Sequence, residues 1–91
     1  MKINKVTFER VVLHHIRDII ANRGEPTSYT IILKEIYPRL AQEGYLFYAK
    51  PRHIQNILKK YQNKEFVFIK NAGWWFKDPS KYWLHICPVR D

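Results

Sequence analysis

Arg52, Gln55, Asn56 and Lys59 stand at i, i+3, i+4 and i+7, with His53 and Lys60 beside them, and no Asp or Glu occurs from Pro51 to Lys64. On a helix this spacing puts the first four on one face. Arginine bridges the two acceptors of guanine, Gln and Asn match the acceptor and donor of adenine, and lysine meets phosphate. Helix surfaces commonly mix Glu with Lys for i,i+4 pairing, so a carboxylate-free face that forgoes it suits a polyanion better than passive solvation. The candidates for base reading are Arg52, Gln55 and Asn56, flanked by His53. Lys59, Lys60 and Lys64 are the candidates for phosphate, and Lys50, Lys70, Asn71, Lys77 and Lys81 would extend the track.

The charge distribution supports that choice. The chain of 91 residues holds 16 Lys and Arg against 8 Asp and Glu, a formal net charge of +8. From Met1 to Ala49 there are seven cations and five anions, whereas from Lys50 to Lys81 there are eight cations opposed by Glu65 and Asp78 alone. Most of the excess therefore falls in one third of the chain. The alternative reading is that the lysines only keep an aromatic-rich domain in solution.

Other chemistries find little support. Cys87 is the single cysteine, and His14, His15, His53 and His85 lack the spacing of a zinc site, so neither a metal nor another cofactor is expected. His14 and His15 splay apart on a helix, and His15 turns towards the apolar side as a hydrogen-bonded core residue. No glycine-rich phosphate loop, nucleophile elbow or paired acid/base motif is present, so the chain does not read as an enzyme. No apolar run reaches bilayer length, and the N-terminal charges break up any signal-peptide core. The expected setting is cytoplasmic and nucleoid-associated.

The elements that must position the basic face follow from periodicity. Phe8, Val11, Val12, Ile16, Ile19 and Ile20 predict a first helix over about 7–22, with Thr7 as N-cap and Gly24 as stop. Thr27 or Ser28 caps a second helix over about 28–43, whose buried side is Tyr29, Ile32, Leu33, Ile36 and Leu40. Pro38 is expected to break or kink it. The apolar stretch Tyr45–Lys50 reads as a packed connection. Pro51 opens a third helix over about 51–62, with Ile54, Ile57, Leu58 and Tyr61 as its inner stripe.

The period then changes. Phe66–Ile69 and Trp74–Phe76 read as a hairpin around Lys70-Asn71-Ala72-Gly73, with Gly73 at positive φ, and Tyr82–Ile86 reads as a further strand. Trp74 and Trp75 must point to opposite faces, one inward and one outward. The whole chain, 1–91, is read as one α+β domain: a three-helix core followed by a C-terminal β-hairpin or small antiparallel sheet.

Three helices, the third amphipathic and basic, leading straight into a hairpin resemble the winged helix-turn-helix superfamily over Phe8–Ile86. Pro38 and the extra strand depart from its minimal pattern. The resemblance implies that Pro51–Gln62 enters the DNA major groove and that Phe66–Phe76 is the wing on the flanking backbone. The expected function is sequence-specific double-stranded DNA binding, as a transcriptional regulator or a DNA-targeting module, with homodimerisation as a way to lengthen the site. Two alternatives stay open: a protein partner docked on a Trp74, Trp75 and Trp83 surface, and RNA or single-strand binding through the wing aromatics.

Overall fold

A computed structural model describes residues 5–45 and 50–78. The expectations for Tyr82–Ile86, Lys81, Trp83, His85 and Cys87, and most of the Tyr45–Lys50 connection, lie outside the described residues. Three helices precede a two-stranded antiparallel sheet, an α+β, winged-helix-like layout.

Helix α1 runs Lys5–Arg23 and buries Val12, Leu13, Ile16, Ile19, Ile20 and Ala21. It starts two residues before the expected boundary, so Thr7 lies within the helix instead of capping it; Lys5 and Val6 contain no breaker that would stop helical continuation. At the other end Gly24 takes φ +67° and donates to the carbonyls of Ile20 (3.0 Å) and Ala21 (3.1 Å), the left-handed stop its position suggests.

Helix α2 spans Tyr29–Gln42. Ser28 is its N-cap, with Oγ accepting from the Ile31 amide at 3.3 Å. Thr27 is fully buried instead and donates its hydroxyl to the Glu25 carbonyl at 3.0 Å. Of the two outcomes expected at Pro38 the break does not occur, and the helix continues to Gln42, one residue short of the expected boundary. Proline removes one donor and crowds one carbonyl, at a cost of about 3 kcal/mol. Ile32, Ile36 and Leu40 are all fully buried along a single stripe, and ending the helix at Tyr37 would take Leu40 out of it.

Helix α3 covers Pro51–Lys60, with Pro51 in the first turn and Ile54, Ile57 and Leu58 buried. It ends before the expected boundary at Gln62. The chain reverses there through Asn63, at φ +65°, while the Tyr61 carbonyl accepts from the amides of Lys64, Glu65 and Phe66 at 2.9–3.2 Å. Asn tolerates the left-handed region better than most residues, so the helix is exchanged for a tight turn into the sheet.

Strands β1 (Phe66–Ile69) and β2 (Gly73–Phe76) pair Phe66 with Phe76, Val67 with Trp75, Phe68 with Trp74 and Ile69 with Gly73. The loop is therefore Lys70-Asn71-Ala72, and its left-handed residue is Asn71, at φ +68°. Gly73 has positive φ as expected, but as the first residue of β2, at +120°. The second edge of β2 is bonded to the α1–α2 junction: Thr27 N–H donates to Trp74 at 2.9 Å, and Trp74 N–H donates back at 2.7 Å. Phe66, Trp74 and Phe76 face the helices and complete the core, where α1 packs on α2 and α3 and α2 packs on α3.

Candidate nucleic-acid interface

The residues singled out on α3 divide as the periodicity requires. Arg52, Gln55, Asn56, Lys59 and Lys60 are exposed, His53 is half-buried, and the isoleucine stripe faces inward. Arg52 to Lys59 extends ~10 Å along the axis, about the rise of three base pairs. The ridge is set by its inner face and by a bond at its start, where the Tyr29 hydroxyl donates to the Pro51 carbonyl at 2.6 Å and ties the opening of α2 to that of α3. Lys50 precedes the ridge and makes no side-chain cap bond. Lys64, Lys70 and Asn71 are exposed on the turn and hairpin loop, and Lys77 donates Nζ to the Asn63 carbonyl at 2.9 Å. Lys81 lies outside the described residues.

Electrostatics sharpen the ridge more than composition alone. Arg17 holds Glu65 through two bonds, Nε to Oε2 at 3.0 Å and Nη2 to Oε1 at 2.8 Å. Asp18 pairs with Arg39 and also accepts from Asn22 at 3.2 Å, Arg23 meets Glu25 at 3.4 Å and Glu35 at 3.6 Å, and His15 Nε2 bonds Glu43. Asp78 is partnered as well. Carboxylates are thus drawn into pairs chiefly on the first two helices. Among the described residues from 50 onward, Lys50, Arg52, Lys59, Lys64 and Lys70 make no ion pair. Arg10 and Lys34 make none on the first two helices.

One end of the ridge differs from its reading in sequence. Lys60 donates to Glu9 at 3.0 and 3.2 Å, and the Tyr61 hydroxyl donates to Glu9 Oε2 at 2.7 Å, so an acid from α1 enters a stretch that has none of its own. Glu9 thus offsets the Lys60 charge before any phosphate is met. The hydrogen bond to Glu9 raises the Lys60 pKa above its ordinary 10.5 and the Tyr61 pKa above its ordinary 10.0. The linkage adds stability below those ordinary values and is lost as pH rises through the elevated ones. Alkaline melts should show it: between roughly pH 9 and 12 the wild-type Tm should fall more than that of Glu9→Gln, and equal falls would refute the tie.

His15, its side chain 12% exposed, lies against the apolar side of α1 and bonds Glu43 through Nε2, while its Nδ1 is buried with no partner among the described residues. Trp74 is only 6% exposed, which removes it from the surface expected for a protein partner; Trp75 is half-buried on the opposite face of the sheet, and Trp83 is outside the described residues. The exposed wing aromatic is Phe68, at 53%. Period-two alternation places it on the same face as the buried Phe66, two residues nearer the hairpin loop. No group of three His, Cys, Asp or Glu residues is gathered to hold a metal among the described residues. No described helix is long and apolar enough to cross a membrane.

Comparison of the chain with protein families, with curated proteins and with solved structures finds no match.

Proposed function

We propose that the chain is a winged helix-turn-helix protein that binds double-stranded DNA sequence-specifically, as a transcriptional regulator or as the targeting module of a larger DNA-processing system. The observation that carries this reading is the outward, unpaired and carboxylate-free row Arg52, Gln55, Asn56 and Lys59. A helix of this width fits the major groove, and Arg52 in its first turn occupies the part of a recognition helix that commonly meets base edges. Arg52 offers a bidentate match to guanine, and Gln55 or Asn56 to adenine. Lys59 and Lys64 meet phosphates, and Lys70 on the hairpin loop extends the contact to the flanking backbone.

The test is unbiased selection of duplex sites followed by affinities of single variants. Arg52→Ala and Asn56→Ala should each cost about 1–3 kcal/mol on the selected site and relax preference at one position. Lys59→Ala should weaken all duplexes alike and reduce the salt slope by about one. Uniform loss over every sequence in all three variants would contradict base reading. A ridge that spans about three base pairs also favours two copies on a two-fold site, and sedimentation showing only monomer on the selected duplex would contradict that.

A further inference from the structure

The hairpin pairs an aromatic surface with uncompensated positive charge. Phe68 and Ile69, 53% and 39% exposed, are the exposed large apolar side chains among the described residues, and they adjoin the exposed loop residues Lys70 and Asn71. Lys64 begins the same segment. The acid within it, Glu65, is held by Arg17, so neither Lys64 nor Lys70 has an ion-pair partner. Water solvates such a strand poorly, whereas a partner with a flat π-face and a negative backbone satisfies both halves of it.

Phe68 is also held in position. Its ring meets the buried Trp74 edge-on, with centroids 5.3 Å apart and planes at 63°, from the directly opposite position of the hairpin. The Trp74 backbone is in turn bonded to Thr27 on both sides of its peptide unit. A ring already oriented loses little freedom on binding. An acidic peptide would satisfy the lysines but give Phe68 no matching flat face, and a lipid surface would call for a broader apolar area than two side chains supply.

We infer that Phe68 is a base-stacking residue, so that the hairpin engages the face of a nucleobase while Lys64 and Lys70 hold the adjacent phosphates. This rests on the nucleic-acid reading of α3 and adds to it a preference for DNA in which a base face is accessible. The base can come from either of two sources: an unpaired nucleotide beside the duplex, or a base-pair step opened when the duplex bends, of the kind into which proteins drive apolar wedges.

Three labelled ligands separate these sources: a continuous duplex of the selected sequence, the same duplex with one unpaired nucleotide, and its single strand. Phe68→Ala should bind the duplex with the unpaired nucleotide ~5- to 100-fold more weakly than wild type, Phe68→Trp should retain binding, and Phe68→Leu should lose most of what Phe68→Ala loses. A loss confined to the unpaired ligand identifies an extrahelical base as the source; an equal loss on the continuous duplex identifies an opened step. Because Phe68 is exposed, the variants should melt near wild type, and the Trp and Leu comparison decides the matter should the Ala variant fold poorly.

Binding of Phe68→Ala or Phe68→Leu within about twofold of wild type on all three ligands would overturn the inference. If Lys59→Ala still weakened binding in that case, the DNA reading of α3 would stand alone. If wild type bound none of the three, both would fall.

Discussion

Gly73→Ala is expected to destabilise the fold by about 3–5 kcal/mol and lower Tm by on the order of 20 °C, since two independent penalties meet at one residue. Gly73 has φ +120°, a conformation L side chains rarely adopt. A Cβ there would also lie 2.4 Å from the carbonyl carbon and oxygen of Thr27 and 2.6 Å from the Ser28 nitrogen, all of them backbone atoms that cannot swing aside. Relief would require the hairpin to move off the α1–α2 junction, breaking the two bonds between Thr27 and Trp74 and disturbing the residue that caps α2. A small domain has only ~5–15 kcal/mol of net stability to lose, so the variant should be partly unfolded under mild denaturant. A change below about 1 kcal/mol in urea melts would show that the close approach is absent.

The second large effect should appear in binding with the fold intact. Reversing two charges on the ridge, Arg52→Glu with Lys59→Glu, would remove one of the proposed base contacts and one of the proposed phosphate contacts and put repulsion in their place. Affinity for duplex DNA should fall by about 100-fold or more at low salt. Both side chains are exposed and without ion pairs, so Tm should stay within a few degrees of wild type. Retained affinity would place the interface elsewhere; a large drop in Tm would mean that the two residues hold the fold together.

Local pattern made most of the architecture legible. The stripe Val12, Ile16, Ile19, Ile20, the Gly24 stop, the opening of α3 at Pro51 and the outward row on that helix all follow from spacing within a few turns. Contacts that join distant parts of the chain were not legible. At Pro38 local pattern leaves both a stop and a continuation open, and the burial of Leu40, a tertiary gain that overrides a local penalty, decides for continuation. Thr27 pairs with Trp74, and Lys60 with Glu9, across 47 and 51 positions, and no local period announces either. Phe68 shows the same limit from the other side, since alternation puts it on the face of the buried Phe66 and no local period announces that it stays exposed.

These non-local contacts also bear on how the ridge works. Tyr29, Glu9, Arg17 and Thr27 tie the segment from Pro51 to Trp74 to the first two helices and their junction, respectively at the start of α3, at its end, at the turn after it and at the hairpin. The ridge and the hairpin are thus positioned by the same core, so that the few residues proposed to bind are held in one geometry.

The most direct test is titration of labelled duplex DNA with the full chain over a series of salt concentrations. The logarithm of the binding constant should fall linearly with the logarithm of salt, at a slope of roughly three to four for phosphate contacts from Lys50, Lys59, Lys64 and Lys70, and Lys59→Ala should remove about one from it. No binding to duplex in dilute buffer, or an affinity indifferent to salt and to Lys59, would contradict the account.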